Sequence, residues 1–478
     1  MDIIGYDCIK IILSYSHQRD LIIWRKVSKK FREIINNIKF PYIDFYTACE
    51  KGYCLIVERL INRHFNWNKA LYKSCKSGDI NIVKLIITKN PYMWDYGLKG
   101  AFEGGNYKII KLMIYRGAND WNKALYGACK SGNLDLAKMA IKKGANKVDQ
   151  AFIYACKSGN IELVKYLISL GANDWNNGLF AACNGGHFNI VDLMIKNGAN
   201  YYNKGLEEAC YSGNKEIINL LISLGANDWN SAFYNACYNN DTQLIDFLIS
   251  KGANNWNQGL FYACYNNNKS LLNLLISKGA NDWNNGLKGA CESGNLEMVK
   301  FMVDKGANDF NLGLYLSCYF GHIDIINFLI TKLNNVNHGL YGSTKGENIE
   351  IVKLMLDIGF ENLQTKDLNI SLEIACENGN LDIVELLILY GADDLESGMQ
   401  IACKYGHIDI VKYLTKYGLK KWNNYLVYAC HSGNVELVKY LILKGANDFD
   451  AGFQAACMYN RRNVAKLIYK KINDVTFS

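Results

Sequence analysis

The chain has 478 residues, of which 50% are hydrophobic and 21% charged, and 53 basic against 45 acidic residues leave a net charge of +8. A single globular core of that size is unusual. The charge is small for the length and lacks a dense Lys/Arg block, which argues against nucleic-acid binding. No apolar run approaches the roughly 18 residues of a membrane span. The amino terminus has no signal-peptide profile, so a cytoplasmic protein is expected.

Residues 1–43 read as three short helices. Their apolar positions are Ile9, Ile12 and Leu13, then Leu21, Ile22 and Trp24, then Val27, Phe31, Ile34 and Ile35. The segment resembles an F-box at Ile12-Leu13-Ser14-Tyr15, at Asp20-Leu21 and from Val27 to Phe31, although Ile4-Gly5 stands where that family usually has Leu-Pro. The resemblance implies that Ile4, Ile9, Ile12, Leu13, Leu21, Val27 and Phe31 dock on the Skp-type adaptor of a cullin ubiquitin ligase. The alternative is that these helices only cap the open end of the array that follows, as any repeat stack requires.

From residue 44 the chain repeats one phrase about sixteen times. Cys129, Cys156, Cys183, Cys210, Cys237, Cys264, Cys291 and Cys318 follow at intervals of 27, and Cys376, Cys403, Cys430 and Cys457 resume the interval. Cys49 and Cys75 open the series, while Phe102 and Thr344 fill the slot in two units. Each unit describes two short helices. In the first, Asn176, an N-cap type, precedes Gly178 to Cys183, and Gly185-Gly186 ends the segment. In the second, Ile161, Leu163, Val164, Leu167 and Ile168 keep helical spacing, Glu162 suits the first turn, and Gly171 follows where a left-handed residue is wanted. Helices this short do not persist alone in water, so each must bury its stripe against the next unit.

The phrase resembles the ankyrin repeat at Ala128-Cys129, at Ser131-Gly132-Asn133 or Gly186-His187, and in the apolar-acidic-apolar-Val, Leu-Ile and Gly-Ala-Asn runs. Family units have about 33 residues and a Thr-Pro-Leu-His opening that is missing here. Gly171 to Leu179 spans only eight residues, which omits the β-hairpin finger between units. The compact, Asn-rich version is similar to arrays of giant DNA viruses of amoebae, which would place it in a host cytoplasm. The resemblance implies an all-α ankyrin-type helical-repeat solenoid of about sixteen units behind a small three-helix module. Such an array is expected to be a monomer, to bind protein and to be neither an enzyme nor a membrane protein.

Fourteen of the 16 cysteines occupy the repeat slot. Packed helices lie about 8–10 Å apart and a disulfide needs Cα atoms within about 7 Å, so these are small buried hydrophobes with reduced thiols. Aromatics at constant phase, from Trp67, Trp94 and Trp121 to Trp422 and Phe449, mark the joints as a packing ladder. The array breaks at Lys332-Leu333-Asn334-Asn335, and Gly359 to Leu372 spans thirteen residues in place of eight. Gly359 to Asp367 is therefore expected to be an enlarged loop. Residues 44–344 would form a first stack, 345–372 the end of its last unit with that loop, and 373–478 four further units with a carboxy-terminal cap.

No catalytic, cofactor or metal constellation emerges. His187, His322 and His407 fall in the turn slot where Asn sits elsewhere, which suits capping or turn residues. Gly339 to Gly346 fails the Walker spacing. Binding is read from the variable position after the Cys slot, which runs Lys76, Glu103, Lys130, Lys157, Asn184, Tyr211, Tyr238, Tyr265, Glu292, Tyr319, Lys345, Glu377, Lys404, His431 and Met458. In ankyrin arrays that place faces the concave groove. Tyr211, Tyr238, Tyr265 and Tyr319, with Tyr234, Phe261 and Tyr262 nearby, would form a rigid amphipathic protein-binding patch. If they do not, the exposed tyrosines merely cover helix ends.

Overall fold

A computed structural model describes residues 45–476 apart from 62–64, 90, 360 and 460. The F-box-like segment, from Ile4 to Phe31, lies outside the described residues. Within them the regular structure is all α: 32 helices, from Phe45–Lys51 to Arg462–Thr476, alternate as sixteen pairs. They divide into two compact units, one ending at Lys147 with four pairs and one beginning at Val148 with twelve. In each unit the first helix of a pair packs against its own second helix and against the first helix of the next pair.

Local sequence accounts for each hairpin. Helix Ile161–Ser169 is capped by Asn160, whose side chain accepts the Leu163 amide, and it buries Leu163, Val164 and Leu167. Gly171 adopts φ +101° after its last turn, a conformation that costs glycine least. Helix Trp175–Gly185 ends at left-handed Gly186, but its N-cap is Asp174, not Asn176. Asn176 lies inside the first turn, where its Oδ1 accepts the amides of Asn200 (2.9 Å) and Tyr201 (3.1 Å) in the next joint.

That bond recurs as a ladder. Asn122 holds the amides of Asn146 and Lys147 in the first unit. In the second, Asn203, Asn230, Asn257 and Asn284 each hold the pair 24 and 25 residues ahead, at 2.7–3.1 Å. Asn369 and Asn423 do the same later. A loop too short for a hairpin thus satisfies its amides on a side chain of the preceding repeat.

Thirteen slot cysteines are fully buried, and burial pushes the Cys237 thiol, for example, up to about 12. Cys457 is exposed, against expectation, because no further first helix follows it among the described residues. Each joint aromatic, such as Trp175 or Trp256, is the first residue of a first helix. There Trp175 meets the buried ring of Phe152 edge-on at 5.9 Å, and Trp256 meets Phe233 at 5.7 Å.

Of the expected enlarged loop, Gly359 to Asp367, the two ends are helical and 361–364 form a link between them. Helix Ile349–Gly359 is followed by a short link and then by Thr365–Asn378, a first helix of 14 residues. Asp367 is buried inside it, accepting the Tyr341 hydroxyl (2.5 Å) and the Gln364 amide (3.1 Å). The inserted residues add a turn of helix with its own capping box.

Candidate functional site

Within each unit, side chains at the position after the Cys slot reach from repeat to repeat. In the first unit the Glu103 carboxylate, only 6% exposed, sits between the amines of Lys76 and Lys130, each at 3.1 Å, and accepts the Tyr72 hydroxyl at 2.6 Å. Burial alone would raise this carboxyl, but the bonds from Tyr72, Lys130 and Lys76 overrule it and hold it below the usual range. Glu50 takes Lys73 at 2.5 Å and Lys76 at 2.7 Å, and these bonds lower it to about 2. Lys76 and Lys130 are therefore engaged with acids of neighbouring repeats. In the second unit the same position gives Lys345 on Glu377 at 3.5 Å.

Within the second unit, the same position ahead of Lys345 is largely aromatic. Tyr211 stacks on Tyr238 with ring centroids 5.1 Å apart. Tyr238 meets Tyr262 edge-on at 5.2 Å, Tyr262 meets Tyr234 at 4.9 Å and Phe261 at 4.8 Å, and Phe261 stacks with Tyr265 at 6.0 Å. Six of the seven expected residues thus form one connected set of rings. The seventh, Tyr319, stands in a separate group with Tyr315 at 6.4 Å and Phe320 at 4.9 Å. Tyr211, Tyr234, Tyr238, Tyr265 and Tyr319 are 37–41% exposed, whereas Tyr262 is 9% exposed. Tyr262 is the floor of the set. Burial and the Tyr234 hydroxyl, which accepts its proton at 2.9 Å, push its phenol upward.

Why Tyr262 wedges in is a matter of helix spacing. At the equivalent place, two residues before the Cys slot, Gly100, Gly127, Gly289 and Gly342 let first helices touch. A Cβ there would lie 2.1–2.4 Å from a carbonyl oxygen of the preceding helix. Tyr262 fills this place between helices Trp229–Tyr238 and Trp256–Tyr265, which pack less extensively than their neighbours. The backbone under the rings is tied down: Asn266 Nδ2 donates to the carbonyls of Cys237 (3.1 Å) and Tyr238 (3.0 Å), and Asn239 donates to those of Cys210 and Tyr211.

The turn-slot histidines do not cap their helices with their side chains. His187, His322 and His407 turn Nε2 to the carbonyls of Lys157, Glu292 and Glu377 in the preceding repeat at 3.0–3.1 Å. In other repeats Asn106, Asn214 and Asn434 make a related strut from the same slot, donating to the carbonyls of Gly78, Gly186 and Gly406, two residues further along the preceding repeat. Among the described residues no cluster of His, Cys, Asp or Glu suits a metal ion, and no helix is long and apolar enough to cross a membrane.

The profile of the family described as Ankyrin repeats (3 copies) matches residues 98–177, 206–286, 233–312, 260–339, 314–396, 340–424, 372–452 and 399–477, well over half of the chain. The chain is an ankyrin-repeat protein. Among solved structures it is similar to the crystal structure of the human ASB11 ankyrin repeat domain, with 21% identity over 44% of this chain and 97% of that one, at a TM-score of 0.21. No curated protein matches it. As an ankyrin-repeat protein it is a protein-interaction array, in which asparagine side chains bridge the joints that are too short for hairpin fingers.

Proposed function

We propose that this ankyrin-repeat protein holds a target protein on the aromatic set centred on Tyr238 and delivers it to a ubiquitin ligase. Residues 1–43 would recruit a Skp-type adaptor and its cullin in the cytoplasm, that of a host if the chain is viral. The observation that carries target recognition is the run of half-exposed rings on a braced backbone. Tyrosine offers large contact area at little entropic cost, and such rings are over-represented at binding hot spots. The recruitment step rests on the F-box-like residues alone.

The two halves of the proposal are tested together by affinity capture with three versions of the chain: full length, lacking residues 1–43, and full length with Tyr238→Ala and Tyr265→Ala. Adaptor and cullin should be recovered with the first and third and lost from the second. A target should be recovered with the first and second and lost from the third. Absence of adaptor and cullin from all three would leave a scaffold or decoy whose first helices serve only as a cap. Target capture that survives loss of both rings would remove the aromatic set from recognition.

A further inference from the structure

Of the three acids at the position after the Cys slot, Glu103, Glu292 and Glu377, two are met by lysine. Glu103 lies between two lysines and Glu377 is met by Lys345. Glu292, at the same phase, has Tyr265 one repeat before it and Tyr319 one repeat after it. Among the described residues neither an ion pair nor a side-chain hydrogen bond reaches its carboxylate. The nearest candidate, Lys288, belongs to the same helix, Trp283–Ser293, but its amine is drawn over the Phe261 ring, 5.4 Å from the centroid. Glu292 is half-buried. Burial raises its carboxyl above the ordinary value, with Lys288 only partly opposing.

An acid that is partly withdrawn from water without a counter-ion is costly, and aromatic faces attract cations. Both features stand together in one stretch of the column. Resting on the reading that the aromatic set is the target-binding face, we infer that the target docks there through a basic side chain. An arginine or lysine in an extended segment of the partner would pair with Glu292 against the face of Tyr265, in the place that a lysine of the array fills beside Glu103.

The test is selection of random linear peptides displayed on phage against the immobilised full chain, followed by affinity measurement of the recovered peptides. Arg or Lys should be enriched at one position among peptides whose binding needs Tyr211 and Tyr238. Glu292→Gln should weaken those peptides by about tenfold, and Glu292→Lys should instead select acidic ones. Both changes keep a long polar side chain on a half-exposed site, and an unchanged melting curve checks that the fold survives. Tyrosine-dependent peptides without basic enrichment, or ones indifferent to Glu292→Gln, would overturn the inference while leaving the aromatic face in place. If no recovered peptide depends on Tyr211 and Tyr238, the face itself is wrong and the inference falls with it.

Discussion

At the scale of single residues, the slots are so uniform that departures stand out as chemistry. Thr344 occupies a fully buried cysteine slot, and its hydroxyl finds no partner. A buried hydroxyl left unsatisfied costs about 1–3 kcal/mol. Thr344→Cys should therefore raise the melting temperature, and an unchanged or lower value would show that the hydroxyl is satisfied in solution. His407 departs in another way: burial presses its imidazole down to about 4, although its bond to the Glu377 carbonyl opposes this. The unfolded chain takes up that proton near pH 6.5 while the folded one refuses it until about 4. Stability linked to His407 is therefore present above the first value and is lost as pH falls toward the second. Urea unfolding at pH 7 and 5 should show a loss of at most about 2 kcal/mol, less what residual contact with water screens. His407→Asn, which puts in this slot the neutral residue that Asn106, Asn214 and Asn434 supply elsewhere, should remove that share of the loss. An equal acid response in the variant would place the sensitivity elsewhere.

At the scale of the helix pair, the joint is held by one side chain doing the work of a hairpin. Asn257 Oδ1 accepts the amides of Asn281 and Asp282 at 2.8 and 3.0 Å, so Asn257→Ala leaves two donors without their acceptor and should cost about 1–3 kcal/mol by denaturant unfolding. Asn257→Asp keeps the acceptor, as Asp95 does in the first unit, and should cost measurably less. Equal losses for the two variants would deny the acceptor its role. The hairpins themselves were legible, because the interval of the cysteines and the stripe through Leu163, Val164 and Leu167 follow directly from helical packing. The role of Asn176 was not legible. Asp174 and Asn176 are both good caps two residues apart, and sequence carries no sign that one reaches 24 residues forward. The extra turn of helix beside the inserted link was not legible for a similar reason, since its capping box depends on Gln364 being extended. The exposed tyrosines were found by their phase after Cys, but the burial of Tyr262 depends on its lying where four other repeats have glycine. The pairing of Glu103 with lysines on both sides could have been suspected from acid and base alternating in that column.

At the scale of the whole molecule, stability in a stack is close to a sum over joints, so joints without a rung should open first. In the second unit Asn311 accepts no amide from the stretch Leu333 to Val336, and helix Asn337–Lys345 starts there without a side-chain cap. Hydrogen exchange should therefore be faster for the amides of residues 334–336 than for those of 281–282. Equal protection would show that the ladder contributes little to local stability.

The ladder also bears on how such a gene can change. Each asparagine rung joins the same atom of one copy to the same two amides of the next, so a seam between two copies laddered in this way is chemically identical to the seam it replaces. Recombination in phase, for instance loss of residues 230–256, would rejoin Trp229 to Asn257 and present Asn281 with the bond it already has. Copy number in this lineage is then free to drift in steps of 27 residues, while the rings that recognise a partner travel with whichever copies carry them.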